Sequence, residues 1–288
     1  MAENTAISWT DHTMNFWWGC TKVGPGCDHC YAENFDKRVG GAHWGAGAPR
    51  RLVEDWTKPR KWQREAERTG VRPWVFAQSM SDIFDNEVPL EWRERAWQLV
   101  RETPALRWIF VTKRIGNAAK MLPADWTSGA FAHCGLVSTI VNQAEADRDI
   151  PKLLATPAVW RGLSMEPLLG PVSLTRISTM AFRGAEVLNG LTGDLSGMFG
   201  DFCTTGLPAL DWVIVGGESG VGFRDMHELW AINIMDQCEA AGVSFHFKQW
   251  SGRKPKELGR LLDGREHNGM PPTTSSPSAA STPFPSAA

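Results

Sequence analysis

Six short apolar runs alternate with amphipathic segments along this chain. They are PWVFAQSM (73–80), RWIFVTKR (107–114), HCGLVSTIV (133–141), WRGLSMEP (160–167), DWVIVGGESG (211–220) and VSFHFKQW (243–250). Each is rich in β-branched and aromatic residues and too short to be a buried helix, so each predicts a strand. MNFWWGC (14–20) is a weaker first member. Between the runs, EWRERAWQLVRET (91–103) and MHELWAINIMDQCEAAG (226–242) show helical spacing, and Gly242 suits a left-handed C-terminal cap. Continuous apolar strands separated by helices predict an α/β fold with a parallel sheet and helices outside it. About seven such units in roughly 250 residues suit a parallel (β/α) barrel, complete or partial.

The rhythm lapses twice. Residues 173–209 join two predicted strands and contain GLTGDLSGMFGDF, an insertion rich in Gly and Asp. Residues 269–288 are almost entirely Pro, Ser, Thr and Ala, a composition with too little apolar surface to offset the entropy of ordering, so a disordered tail is expected. The expected organisation is one barrel-like domain over 1–268, followed by that tail.

Apolar residues make up 42% of the 288, enough for a sizeable core, and the formal net charge of −2 excludes an extended basic field. Lys58, Arg60, Lys61 and Arg64 form a local basic run. Most of the 15 tryptophans belong in the core. The N-terminus lacks the basic and apolar regions of a secretory signal, and no run is long enough to span a membrane. A reducing, cytoplasmic setting is therefore expected, in which clustered cysteines point to metal or catalysis rather than disulfides.

Three of the six cysteines fall within eleven residues, GCTKVGPGCDHC (19–30). Cys20, Cys27 and Cys30 follow the first predicted strand, and Gly24, Pro25 and Gly26 can turn the loop back on itself. Three thiolates can hold a zinc ion with a fourth ligand such as His29, or three irons of a [4Fe–4S] cluster. Cys134, Cys203 and Cys238 are isolated and read as small buried hydrophobes. The other six histidines show no metal-ligand spacing. In a parallel barrel the working face lies at the strands' carboxyl ends. These ends carry Ser79, Ser81 and Asp82, then Lys113, Ser138, Glu166, Gly216, Gly217, Glu218 and Lys248. Lys113, Glu166 and Lys248 are charges abutting apolar runs, which turn formation does not require, and are the candidate catalytic groups. The glycines of GGESGVG (216–222) can present backbone N–H groups to a carboxylate or ribose.

ISWTDHTMN (7–15), GCTKVGPGCDHCYAE (19–33), SMSDIF (79–84), FVTKR (110–114), LSMEPLLGPV (163–172), WVIVGGESG (212–220) and FKQW (247–250) together resemble the phage-associated three-cysteine-motif proteins of unassigned function. That family is similar to the radical SAM superfamily. The resemblance implies a TIM-barrel-like fold and a [4Fe–4S] cluster on Cys20, Cys27 and Cys30. It further implies S-adenosylmethionine as cofactor, with Tyr31, Ser79, Ser81, Asp82, Ser138, Glu166, Gly216, Gly217 and Glu218 in its pocket. An electron donor such as flavodoxin or ferredoxin, and the host cytoplasm if the chain is phage-encoded, are implied with it. Two features depart from the superfamily pattern. The first cysteine gap is six residues instead of three, and SMSD (79–82) stands where a Gly-Gly-Glu-like stretch is usual.

Two functions follow as expectations. One is a radical SAM-type enzyme acting on an unidentified substrate, nucleic acid among the candidates, with Trp17, Trp18 and Trp250 as stacking surfaces. The other is a non-catalytic zinc-stabilised module that binds nucleic acid or a host protein.

Overall fold

The computed structural model describes residues 3–179, 186–198 and 202–273. In chain order the main elements are β1 (His12–Met14), β2 (Trp17–Trp18), α1 (Tyr31–Arg38), β3 (Arg51–Leu52), α2 (Thr57–Thr69), β4 (Trp74–Ala77), α3 (Leu90–Arg101), β5 (Arg107–Thr112), α4 (Ile115–Met121), β6 (Cys134–Thr139), α5 (Gln143–Ala155) and β7 (Arg161–Met165). Then follow β8 (Ile177–Thr179), β9 (Glu186–Asn189), β10 (Asp194–Gly197), β11 (Cys203–Thr204), β12 (Trp212–Gly216), α6 (Glu228–Ala241), β13 (Ser244–Gln249), β14 (Leu261–Leu262) and β15 (Arg265–Glu266). Seven strands form one sheet in the order β1-β4-β5-β6-β7-β12-β13. Strands β1 and β13 end that order with one neighbour each, so the described residues form an open sheet and not a complete barrel. No helix among them is long and apolar enough to cross a membrane.

The chain divides into two compact units, residues 1–136 and 137–288. In the first, β1 pairs with β4 in parallel, His12 opposite Val75, and β4 pairs with β5, Trp74 opposite Arg107. All four residues of β4 are buried, as expected of a strand covered on both faces. The first strand is not MNFWWGC. It starts earlier, at His12, and Trp17 and Trp18 instead form a two-residue antiparallel ribbon with β3. The loop from Asn15 onward thereby leaves the sheet directly above its carboxyl end.

In the second unit β7, β12 and β13 are parallel, Trp212 lying opposite both Gly162 and Ser244. Helix α5 is preceded by Asn142, whose side chain accepts the Glu145 N–H at 2.9 Å, a side-chain N-cap. Helix α6 ends at Gly242 in the left-handed conformation, as its sequence requires. The 173–209 insertion carries its own antiparallel sheet, β11-β10-β9-β8. Ser178 N–H donates to Asp147 of α5, which fastens the insertion to the helix before it.

The expected tail boundary at 269 is corrected. Gly269 N–H donates to Phe245 O at 2.9 Å, and its carbonyl accepts the Trp212 indole at 2.8 Å. A Cβ at Gly269 would lie 2.5 Å from Phe245 O, so only glycine allows this approach. Residues 274–288 of the expected tail lie outside the described residues. Cys134 and Cys238 are buried as expected, whereas Cys203 is exposed because it sits on the edge strand of the insertion's sheet.

Candidate functional site

In the first unit the cysteine loop is held from two sides. Asn15, buried just after β1, donates to Ser79 Oγ at 2.9 Å and accepts Met80 N–H at 2.8 Å. Gly19 N–H donates to Met80 O, and its backbone (φ +109°) passes so close to His43 O that a Cβ would sit 2.4 Å from it. Glycine is therefore obligatory immediately before Cys20. Beyond Cys20, residues Pro25–Cys27 form one 3₁₀ turn, and Cys30 immediately precedes α1. Lys22 Nζ donates to Asp28 O at 3.1 Å and pairs with Glu33 at 3.0 Å, clamping the Cys27–Cys30 turn to the helix.

Below the loop lies a buried charge network that the sequence does not advertise. Arg114 Nη1 donates to Cys20 Sγ at 3.1 Å and Nη2 to Thr21 O at 2.6 Å. Its carboxylate neighbours are Asp82 at 3.5 Å and Asp85 at 4.0 Å. Arg50 pairs with Asp85 at 2.8 Å, both side chains almost fully buried, and donates to Thr21 Oγ1 and to the carbonyls of His43, Gly45 and Ala48. Burial pushes the Cys20 thiol up to about 12, although the Arg114 cation works against it. Burial opposes the Arg114 charge, but Asp82, Cys20 and Asp85 outweigh it and hold the guanidinium above its ordinary range.

The residues expected around this loop are close-knit. Asp82 is buried and accepts Thr112 Oγ1, the N–H groups of Phe84 and Lys113, and Arg114. Ser81 donates to Trp17 O and Gln78 Oε1. Tyr31 donates its hydroxyl to Ser79 O at 2.6 Å while its ring stays exposed. Lys113, at the end of β5, is half-buried. Gln78 was missed: it holds φ +73°, a conformation that costs a residue with a side chain about 1–2 kcal/mol, and its buried Nε2 has no hydrogen-bond partner. Only its position after an apolar run could have drawn attention to it. Trp17 is fully buried and offers no stacking surface, while Trp18 is half-buried. Of the basic run on α2, Arg60 is paired with Glu102 and Lys61 with Glu3.

In the second unit Lys248, on β13, forms an ion pair with Glu166, which also accepts Ser164 Oγ at 3.2 Å. Gly216 leaves room for this pair, since its Cβ would approach Glu166 Oε2 at 3.2 Å. Gly217 is tighter: its N–H donates to Gln249 O and a Cβ would overlap Ser251 N at 2.1 Å. Glu218 is buried and committed to Arg224, whose N–H, Nε and Nη2 all reach its carboxylate. Ser138 is buried with no hydrogen-bond partner for its hydroxyl. Trp250 is half-buried, its indole N–H donating to Leu261 O.

Among the described residues, no three His, Cys, Asp or Glu side chains are grouped as a bound metal ion needs, so Cys20, Cys27 and Cys30 share one loop without converging. What fits an iron–sulfur cluster is donor chemistry: three thiols on a loop tethered at both ends, with a buried guanidinium on the first.

The model of a family described as a protein of unknown function, DUF5131, matches residues 4–271. No curated protein and no solved structure matches the chain.

Proposed function

The chain belongs to this family, DUF5131, and we propose that it is an iron–sulfur enzyme of radical SAM type, built on a partial (β/α) barrel and working in the cytoplasm. The observation that carries the reading is the cysteine loop itself, three thiols leaving the carboxyl end of a parallel sheet with Arg114 on Cys20. Cys20, Cys27 and Cys30 would hold a [4Fe–4S] cluster, which leaves one iron free of protein ligands. When bound, that group supplies one electron, drawn from a flavodoxin- or ferredoxin-like donor, for cleavage of the S-adenosylmethionine sulfonium and the start of radical chemistry on a substrate.

The protein's own residues hold charge and exclude water. Arg114 offsets the negative charge that three thiolates bring into a buried site, and Asp82 fixes Arg114. Tyr31, Ser79, Ser81 and Asp82, which share the first unit with the cysteine loop, are the proposed cofactor contacts. Lys113 and the Glu166–Lys248 pair are the proposed acid–base groups.

The test is anaerobic incubation with dithionite and S-adenosylmethionine, followed by chromatography for 5′-deoxyadenosine. Slow release by the wild-type chain, absent in Cys27→Ala, is expected. A cluster-bearing protein that releases none rejects the radical mechanism. One tightly held zinc in place of iron favours the binding-module reading.

A further inference from the structure

Helix α1 is amphipathic the wrong way round. A helix on a sheet normally turns its bulky apolar side chains inward. Here the buried positions are Ala32 and Asp36, while Tyr31, Phe35 and Val39, one helical turn apart, are 55%, 40% and 56% exposed. The inward Asp36 is satisfied, accepting His43 N–H at 3.0 Å and lying 2.8 Å from His43 Nδ1. The outer stripe is therefore surplus to packing, and a contiguous exposed apolar stripe marks a contact surface.

The stripe continues onto the β2–β3 ribbon. Phe35 meets the edge of Trp18 with ring centroids 5.7 Å apart, and the Arg51 guanidinium lies 4.3 Å from the Trp18 centroid. Arg51 is exposed, so the guanidinium extends the aromatic surface. Lys22, Lys37 and Arg38 are exposed along the same stretch and are matched in number by Asp28, Glu33 and Asp36, so Arg38 and Arg51 are the cations that no acid of the stretch engages. Glu33 is shared by Lys22 and Lys37, Asp36 is turned inward, and Asp28 is the exposed acid of the cysteine loop.

We propose that this surface binds single-stranded nucleic acid, with bases stacked on Phe35, Tyr31 and the Arg51–Trp18 pair and phosphates against Arg38. Aromatic and guanidinium planes beside a short run of cations suit unpaired bases, each of which offers a π-face. A duplex hides those faces, and the chain's near-neutral charge does not support long backbone tracking. Cys30 immediately precedes this helix, so the surface adjoins the cysteine loop. The binding does not rest on the reading under Proposed function.

The experiment is fluorescence anisotropy of the full-length protein with a labelled oligothymidylate of about 15 nucleotides, and a duplex of equal length, at about 50 mM salt. The single strand should bind more tightly than the duplex. Phe35→Ala and Arg51→Ala should each weaken binding about 5-fold or more, with the cooperative thermal transition retained, since each loses only its contact with Trp18. Arg38→Glu should also weaken it. No binding by the wild type, equal binding of the duplex, or unchanged affinity in both single variants would overturn the proposal. So would a dimer, seen by sedimentation, that Phe35→Ala dissolves, since the stripe would then belong to a second copy. Iron is assayed on the same protein after anaerobic reconstitution: protein that stays iron-free yet binds the strand keeps this surface and rejects the cluster chemistry.

Discussion

Arg114 Nη1 donates a hydrogen bond to Cys20 Sγ at 3.1 Å, tying the second residue after β5 to the first thiol of the loop after β2. The same guanidinium faces Asp82 and Asp85, so one cation serves a thiol, a backbone carbonyl and two buried carboxylates.

Arg114→Ala should accordingly destabilise the fold by about 3–5 kcal/mol, because it leaves buried carboxylate charge uncompensated. Arg114→Lys keeps the charge but loses the fork, and should fall between wild type and Ala. Urea unfolding followed by tryptophan fluorescence measures both. A loss below about 1 kcal/mol for the alanine variant would mean that Arg50 alone neutralises the network.

Metal-free Cys20 should be a poor nucleophile. Burial pushes its thiol up to about 12, so it stays protonated at neutral pH. Brief iodoacetamide labelling of metal-free protein, read by peptide mass spectrometry, should modify the exposed Cys203 first and leave Cys20 and the buried Cys134 largely intact. Rapid modification of Cys20 would show that the loop opens in solution.

His246 should make the protein acid-sensitive above the range where carboxylates titrate. Burial, helped by Arg260 and Lys248, lowers its pKa to about 4, against an ordinary 6.5. The unfolded chain therefore takes up a proton that the native state refuses. Stability is full above pH 6.5 and falls as pH drops toward 4, by about 2 kcal/mol at pH 5 and about 3 at pH 4. His246→Gln should flatten the urea-unfolding stability between pH 6.5 and 5. An unchanged slope would assign the pH dependence elsewhere.

Two adjacent glycines should respond differently. Gly217→Ala places a Cβ against the backbone nitrogen of Ser251 at 2.1 Å and should cost about 1–3 kcal/mol or more. At Gly216 the nearest atom is the Glu166 carboxylate at 3.2 Å, a side chain that can shift, so Gly216→Ala should cost less. Thermal melts of the two variants decide it, and equal losses would contradict the difference in packing.

The parallel strands were legible because burial on both faces leaves unbroken apolar runs, as in WVFA and WVIVG. The first strand was misplaced because Trp17 and Trp18 look like core strand residues, yet they form a ribbon with β3. The insertion's sheet was hidden because its strands, DLSG among them, are short and polar. The cysteine loop was plain from spacing alone. Its support was not: Arg50, Asp85 and Arg114 are far apart in sequence, and a buried ion pair leaves no periodic trace. The inverted face of α1 was equally silent, since Tyr31, Phe35 and Val39 have the spacing of a core-facing stripe.

The most direct test of the central claim is iron and acid-labile sulfide analysis of anaerobically reconstituted protein. The account predicts about four irons and four sulfides per chain, lost on replacing Cys20, Cys27 or Cys30 by Ala and retained on replacing Cys203. A colourless protein with a single zinc, or iron that survives the loss of Cys20, would contradict it.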